Sequence, residues 1–286
     1  WPGAETTTVA ALDHDGAEIW AVELPGIRTQ HGAGSSPIVH GDLVIVSHEQ
    51  DEGRGDTPSQ WLALDRETGQ TRWRYQHPKN TQASYSTPCV HRDGQGREQL
   101  IFTSHQHGIA AVDPSSGKLL WQTPAALPAR VVSSPGIAGD LIVATCGRGG
   151  RGVRLAAVDP SETSDIKEAY GFDRRVVPYV PTPIAWDGLL FLFQDQGTVS
   201  CLRGQTGEVL WSEKPAGRYY GSPICAAGRL YCITVDGDVV VLKAGPEYRL
   251  LGVNSLGEKS HATPAVADGR MYLRTFSHLI AIGGHP

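Results

Sequence analysis

Apolar residues in this chain stand in short runs, and a turn that contains glycine separates one run from the next. Residues 43–46 and 189–193 are two such runs. Short runs rich in β-branched and aromatic residues, bounded by glycine turns, are typical of β-strands. With 34 glycines and 19 prolines in 286 residues, the chain has many turns and little room for long helices. The pattern therefore predicts an all-β fold.

A Ser-Pro or Thr-Pro dipeptide opens one short apolar strand after another along the whole chain. The dipeptide recurs at intervals of roughly 40 to 50 residues, a period typical of propellers and solenoids built from one repeated unit. The six copies are Ser36-Pro37, Thr87-Pro88, Ser134-Pro135, Thr182-Pro183, Ser222-Pro223 and Thr263-Pro264.

Each repeat has the same internal order. A glycine turn and a second strand follow the Pro strand, a third strand ends in an acidic turn, as at Asp65 and Asp113, and a fourth strand ends on an aromatic residue. This order predicts a four-stranded antiparallel meander, and six meanders predict a six-bladed β-propeller over a single domain, residues 1–286. The aromatic residues are expected to be plates that pack blade on blade. They are Trp20, Trp73, Trp121, Tyr170 and Trp211.

The two ends of the chain are irregular. The last repeat lacks a fourth strand, and residues 17–22, with Trp20, form a fourth strand without the preceding three. We expect the N-terminal strand to close the last blade. Residues 8–13 also resemble a third strand, which leaves two alternatives open: seven blades, or a truncated larger propeller.

Composition narrows the possible partners. The net charge of −5 argues against nucleic acid, and no apolar run reaches the roughly 18 residues of a membrane span. No signal peptide is apparent, which says little about the compartment. The five cysteines form no metal or disulfide pattern. Cys225 and Cys232 are either bridged across a hairpin or free core residues.

The stretch from Ala63 to Trp73 reads A-x-D-x-x-T-G-x-x-x-W, as does the stretch from Ala111 to Trp121, and Cys201 to Trp211 is a weaker copy. This motif resembles the tryptophan-docking repeat of the pyrroloquinoline quinone (PQQ)-like, or BamB-like, β-propellers, within the WD40-like and quinoprotein superfamily. The resemblance implies the fold over nearly the whole chain. It does not imply one activity, because the family includes quinoprotein dehydrogenases as well as non-enzymatic scaffolds of bacterial outer-membrane protein assembly.

The chain departs from the dehydrogenases of that family. Those enzymes have eight blades, many place two adjacent cysteines over the quinone, and they bind Ca²⁺ through Glu, Asn and Asp near a catalytic Asp. This chain has about six repeats, no adjacent cysteines and no matching acidic cluster. Neither PQQ nor calcium is expected, and no catalytic residue is assigned.

The candidate binding residues lie in the longer loops on one face of the predicted propeller. Each loop that enters a repeat carries a base, with an aromatic or His residue beside several of them. These residues predict a basic, aromatic-rimmed funnel for an acidic small molecule, a sugar or an acidic peptide strand. The alternative is that they are ordinary solvated loop residues. The candidates are Arg28, His31, Tyr85, Arg130, Arg175, Tyr179, Arg218, Tyr220, Lys259 and His261.

Three further segments contain residue types that can form sites. His105 and His107 would share one face if they lay on a strand, but two imidazoles are thin support for a metal, and none is expected. The glycine-rich residues 147–152 do not match a phosphate loop and predict a flexible, arginine-bearing loop. The acidic run of Glu49, Asp51, Glu52 and Asp56 is expected to be solvated, with calcium as the alternative.

The favoured interpretation is a non-catalytic scaffold or ligand-binding propeller that is monomeric and, by analogy with the family, periplasmic or secreted. Its protein partner would dock on the variable face or add a strand to an outer edge. The alternative is an enzyme of the quinoprotein or hydrolase and lyase kind that uses the same funnel.

Overall fold

The computed structural model describes residues 2–54, 57–77, 82–161, 166–173 and 176–283. Every regular element in these ranges is a β-strand, so the all-β prediction is confirmed. No helix in the described ranges is long and apolar enough to cross a membrane. The chain divides into two compact units, Trp1–Pro135 with Ser161–Ile166, and Gly136–Pro160 with Lys167–Pro286. The expectation of a single domain stays a prediction.

The first unit contains a two-stranded hairpin and two four-stranded antiparallel sheets. The hairpin consists of β1 (Thr6–Leu12) and β2 (Glu18–Pro25). The first sheet consists of β3 (Ile38–His40), β4 (Leu43–His48), β5 (Ser59–Asp65) and β6 (Thr71–His77). The second consists of β7 (Cys89–Arg92), β8 (Glu98–Ser104), β9 (Gly108–Val112) and β10 (Leu119–Gln122).

The second unit contains three four-stranded sheets and one of three strands. The first sheet consists of β11 (Gly136–Ala138), β12 (Leu141–Arg148), β13 (Arg151–Asp159) and β14 (Lys167–Asp173). The next is β15 (Ile184–Trp186), β16 (Leu189–Phe193), β17 (Val199–Arg203) and β18 (Val209–Glu213). The third is β19 (Ile224–Ala226), β20 (Arg229–Ile233), β21 (Asp238–Lys243) and β22 (Leu250–Ser255). The last is β23 (Ala265–Ala267), β24 (Arg270–Arg274) and β25 (Leu279–Gly283).

The middle strands of the sheets form the core. All residues of β9 and β16 are buried, so these strands are covered on both faces, whereas the fourth strands β6 and β18 keep exposed positions. In the first unit, the ring of Trp61 stacks on that of Phe102 with 4.3 Å between centroids. Sheets covered on both faces are what stacked propeller blades require.

The strand pairing corrects the predicted closure. β2, with Trp20, pairs with β1 and not with the last sheet, which stays three-stranded in the described residues, so the regular count of six four-stranded blades does not hold. The cause is local. Asp13 accepts hydrogen bonds from the backbone N–H of Asp15 (2.9 Å) and Ala17 (2.8 Å), which fixes the β1–β2 turn. The hairpin also shows the register shift found between third and fourth strands elsewhere.

The aromatic residues of the fourth strands contact the acidic turn of the following sheet. Trp20 donates its indole N–H to the carbonyl of Arg66 (2.9 Å), and a Cβ built on Gly69 would lie 2.7 Å from the Trp20 ring. Trp73 donates its indole N–H to Pro114 O (2.7 Å), and a Cβ built on Gly117 would lie 2.5 Å from the Trp73 ring. Both glycines have positive φ, so the ring and the backbone each require glycine there.

The remaining three aromatic residues of the fourth strands differ in the sheet to which they donate a hydrogen bond. Tyr170 donates its hydroxyl to Gly204 O (2.7 Å), and Trp211 donates its indole N–H to Gly245 O (3.2 Å), each in the following sheet. Trp121 instead donates to the side chain of Gln99 (3.0 Å) in its own sheet. The indole nitrogen of Trp121 therefore differs from the others in its partner, although the residue is as buried as Trp20 and Trp73.

One local prediction from the sequence was wrong. The glycine-rich segment 147–152 is a continuous hairpin of β12 and β13, closed by Gly149 and Gly150 with φ of 60° and 70°. Two consecutive residues of positive φ form the tight turn that matches the twist of a hairpin, so no flexible loop is needed. Of the two alternatives for Cys225 and Cys232, the structure shows free core residues, because Cys225 pairs with Leu230 and not with Cys232.

Candidate functional site

Three of the predicted binding residues come together in the first unit. The guanidinium of Arg130 donates from Nη2 to Gln30 Oε1 (2.7 Å) and lies 3.2 Å, through Nη1, from His31 Nε2. Its carbon also lies 5.9 Å from the ring centroid of Tyr85. We call Gln30, His31, Tyr85 and Arg130 the Arg130 cluster. It joins loops that are separated by about a hundred residues in sequence.

The backbone fixes the geometry of the Arg130 cluster. The N–H of Tyr85 donates to Val131 O (2.9 Å), and the Tyr85 hydroxyl accepts the N–H of His31 (3.2 Å). The ring of Tyr85 also packs on Gly34, where a Cβ would lie 3.0 Å from it. Tyr85 is consequently buried, and its hydrogen bonds connect the His31 loop to the Arg130 loop.

Asp51 links the same loops through hydrogen bonds to their backbone. Its carboxylate accepts the backbone N–H of Gln30 (2.6 Å) and of Ala83 (2.6 Å), and Arg54 lies 3.6 Å away. The residue is 5% exposed, so the expectation of a solvated acidic run was wrong here. Buried carboxylates persist when hydrogen bonds satisfy their oxygens, and those partners come from segments distant in sequence. Asp56 lies outside the described residues.

The charge of Arg130 is not balanced within the described part of the chain. Both terminal nitrogens face neutral acceptors, no carboxylate lies within ion-pair distance, and Nε is buried without a hydrogen-bond partner. For Nε2 of His31 to accept from Nη1, the imidazole must be neutral with its proton on Nδ1. An anion that reached this guanidinium would replace neutral acceptors with a charged one.

The other predicted residues of the first unit contribute less. Arg28 is exposed, and its backbone N–H donates to Gln50 Oε1 (2.7 Å). Arg28 and Arg54 line a separate open cavity of about 600 Å³ together with Glu5. Unlike the Arg130 cluster, this cavity contains a carboxylate beside its bases.

The predicted residues of the second unit form a group of aromatic rings. His261 packs between Tyr220 and Phe276, with centroids 5.0 and 5.1 Å apart. The carbonyl of Lys259 accepts the N–H of Phe276 (3.1 Å), which fixes the loop. The sequence pattern did not single out Phe276, which lies in the loop between β24 and β25 and is 61% exposed.

Two further predicted residues have other neighbours. Tyr179 is buried, with its N–H on Asp195 (2.7 Å), and Arg218 is exposed with its carbonyl bound by Val235 N (2.8 Å). Arg175 lies outside the described residues. The single funnel formed by all ten candidates stays a prediction.

A buried acid and two histidines form a network that the sequence did not reveal. Glu49 Oε1 accepts the indole N–H of Trp61 (2.9 Å) and lies 3.6 Å from His77 Nε2. The rings of His77 and His107 meet edge to face at 4.6 Å, and His107 Nδ1 lies 3.1 Å from Ser104 Oγ. Glu49 is 4% exposed, which again corrects the expected solvated run.

Burial and charge set the proton affinities of this network. Burial raises the pKa of Glu49, but the hydrogen bond and charge of His77, with the bond from Trp61, outweigh it and the pKa is lowered overall. Burial and the neighbouring His77 lower the pKa of His107 to about 4. The carboxylate is therefore ionised and His107 neutral at pH 7.

The two histidines proposed as weak metal candidates do not share a strand face. Residues 105–107 form the turn between β8 and β9, so the alternation of side chains along a strand does not apply to them. The ring of His107 packs against that of Trp61, whereas His105 is only half-buried. Among the residues that the structure describes, no three His, Cys, Asp or Glu side chains are placed to hold one metal ion.

The family is decided by the sequence match over most of the chain. The family model described as outer membrane protein assembly factor BamB matches residues 3–178 and 180–245. The chain belongs to this family. A search among curated proteins found no significant match to the BamB-like chain.

Solved structures share the fold of this BamB-like chain at low sequence identity. BamB from Moraxella catarrhalis is 15% identical with a TM-score of 0.50, and the alignment covers 98% of this chain and 94% of that one. Quinohemoprotein alcohol dehydrogenase from Comamonas testosteroni is 16% identical with a TM-score of 0.63, over 93% and 59% of the two chains. A europium-containing methanol dehydrogenase is 14% identical with a TM-score of 0.62, over 87% and 61%. At these identities the likeness establishes the β-propeller fold alone.

The described residues do not fit the quinone and calcium group of the dehydrogenases. The five cysteines are not adjacent in sequence, and Cys146, Cys201 and Cys232 are fully buried core residues. Calcium prefers six to eight oxygen ligands, and the buried acids Glu49 and Asp51 are already occupied by protein donors. No chemical step through that group is derived for this chain.

Proposed function

We propose that this chain is a non-catalytic binding propeller that holds an acidic segment of a protein partner at the Arg130 cluster. Membership of the BamB-like family supports a scaffold role. The unbalanced charge of Arg130 is the observation that carries the choice of partner. The aromatic residues of the fourth strands would serve this role as docking plates that keep the sheets rigid beneath the loops.

A carboxylate would bind by exchange of hydrogen bonds. Its two oxygens accept from Nη1 and Nη2 of Arg130, the fork geometry that guanidinium offers to carboxylates. The neutral acceptors His31 and Gln30 then give up these contacts to the ligand. Tyr85 stays in place beneath the guanidinium, because its own hydrogen bonds do not involve Arg130.

Location and assembly follow from the same proposal. The resemblance to BamB-type proteins supports a periplasmic or secreted location, and a chain with one binding surface can act as a monomer. An acidic peptide strand is the partner class we favour over a free acid or sugar, because the Arg130 cluster lies on exposed loops with neutral and aromatic neighbours rather than in a deep cavity.

Binding of a defined probe tests the proposal. Isothermal titration of decaglutamate into the intact protein should give saturable one-to-one binding, whereas decaglutamine should not bind. Arg130→Gln should weaken decaglutamate binding by about 10- to 100-fold, the factor expected for a charge-assisted pair of roughly 1.5–3 kcal/mol. Binding should also weaken as salt rises.

Arg229→Gln is the matched control. Arg229 is exposed at the start of β20, so this variant makes the same change of net charge outside the cluster. It should change the affinity by less than about twofold. Equal losses in the two variants would reduce the effect to net charge and contradict the proposal, as would failure of the unmodified protein to bind decaglutamate.

The alternative function is a quinoprotein dehydrogenase or another propeller enzyme. The fold shared with two dehydrogenases supports it, and the fold hosts both enzymes and scaffolds. The ionised Glu49 beside His77 is a buried acid and base pair, but Trp61 and His107 enclose it. An enzyme at that position would need a path from solvent to Glu49.

A further inference from the structure

Two arginines face each other at the tip of the β12–β13 hairpin. Arg148 pairs directly with Arg151 across the Gly149–Gly150 turn. Side chains of directly paired residues lie on the same face of a sheet, with Cβ atoms about 5 Å apart, and like charges there are destabilising. Neither arginine has a carboxylate partner within ion-pair distance in the described ranges, so the sequence places an uncompensated repulsion at this tip.

These two arginines line a cavity in the second unit. It has a volume of about 660 Å³, and its other lining residues include Gly152, Val177, Asp195 and Gln196. Ligand sites for small molecules have volumes of roughly 300–1,000 Å³. Gln196 donates its side-chain N–H to Gly150 O (3.1 Å), which holds it against the hairpin and leaves its Oε1 as an acceptor.

The acidic residue in the cavity wall does not neutralise the arginines. Asp195 is 1% exposed, and its two oxygens accept the backbone N–H of Tyr179 (2.7 Å) and Val180 (3.1 Å). Burial raises the pKa of Asp195 above its ordinary value, against the effect of these hydrogen bonds. The positive charge of the pair is left for a ligand.

We propose that this cavity binds a small molecule that carries two carboxylates, one for each of Arg148 and Arg151. A dianion removes the repulsion between the guanidiniums and gives each a charge-assisted hydrogen-bond partner. Gln196 offers an acceptor to a hydroxyl group of the same ligand. The site is distinct from the Arg130 cluster, and its residues play no part in the proposed function, so either proposal can fail without the other.

Two probes distinguish the source of the carboxylates. Tricarballylate is a simple polycarboxylate without hydroxyl groups, and digalacturonate is an acidic sugar with two carboxylates. Isothermal titration of the intact protein should give saturable binding of at least one of them, and which probe binds more tightly identifies the class. Lactate, with one carboxylate, should bind at least about tenfold more weakly than the better probe. Absence of saturable binding for both probes overturns the proposal.

Variants separate a ligand site from a structural role. Arg148→Gln and Arg151→Gln should each weaken binding by at least about tenfold, whereas Arg229→Gln should change it less than twofold. Without ligand, the first two variants should melt at the same temperature as the unmodified protein or higher, because one of two like charges is removed. Their ligand-induced rise in melting temperature should be lost. Equal weakening in all three variants overturns the proposal, as does a lower melting temperature of both arginine variants with ligand binding intact.

Discussion

The contact of Trp73 with the turn at Gly117 gives the sharpest prediction about the repeat. Gly117 has φ of +71°, and a Cβ there would lie 2.5 Å from the Trp73 ring. Gly117→Ala therefore adds two costs, a left-handed backbone for alanine and displacement of the ring. Gly41→Ala is the matched control, since Gly41 has φ of +56° and no atom within 4 Å of an added Cβ.

The two costs can be estimated separately. The left-handed conformation costs an alanine about 1 kcal/mol, and this applies to both variants. Displacement of the ring breaks the indole hydrogen bond to Pro114 O, worth about 1 kcal/mol. If the shift exposes about 70 Å² of the now-buried Trp73, roughly a third of a Trp side chain, the loss of burial adds about 2 kcal/mol. The expected losses are about 4 kcal/mol for Gly117→Ala and about 1 kcal/mol for Gly41→Ala.

Thermal unfolding followed by fluorescence measures the difference. For a chain of this size, 1 kcal/mol corresponds to about 2–4 °C, so Gly117→Ala should melt roughly 6–12 °C below Gly41→Ala. The reasoning would be refuted if the two variants melted within about 2 °C of each other. That result would mean that backbone conformation alone requires glycine at position 117, and that the position of the Trp73 ring does not depend on the missing Cβ there.

Two more predictions concern stability. Ala227 has φ of +48° in the turn before Gly228, so Ala227→Asn should stabilise the protein by about 0.5–1 kcal/mol, since Asn-Gly suits this turn; an unchanged urea midpoint would contradict the argument. His107 has its pKa lowered to about 4 from an ordinary 6.5, so it costs stability as pH falls from 6.5 towards 4, by up to about 3 kcal/mol. His107→Gln should flatten the decline in urea-unfolding free energy over that range, and an unaltered slope would refute this assignment.

Much of the fold could be predicted because its determinants are local in sequence. The Thr68-Gly69 turn requires a left-handed residue and leaves no room for a side chain beside the Trp20 ring, and Gly69 meets both conditions. The predicted closure of the last blade was wrong because the strand that carries Trp20 could pair either with β1 or with the last sheet. Pairing with β1 is favoured because the short turn at Asp13 closes a small loop, whereas the alternative joins strands at opposite ends of the chain.

The buried polar residues could not be predicted in the same way. Glu49 and Asp51 look like a solvated acidic loop, and only contacts with Trp61 and Ala83 make burial possible. By contrast, the Gly149–Gly150 turn had a local signal, because Gly-Gly between strand-like residues favours a hairpin. The grouping of His31, Tyr85 and Arg130 was only partly foreseen, since their common face was predicted and their mutual contacts were not.

Native mass spectrometry of the intact protein tests the central claim of a non-catalytic binding role most directly. The protein would be measured alone, with PQQ and Ca²⁺, and with decaglutamate, and Arg130→Gln would be measured in parallel. The account predicts a one-to-one decaglutamate complex that Arg130→Gln loses, and no change of mass with PQQ and Ca²⁺. A stoichiometric mass increase equal to PQQ, with no decaglutamate complex, would contradict it and favour a quinoprotein.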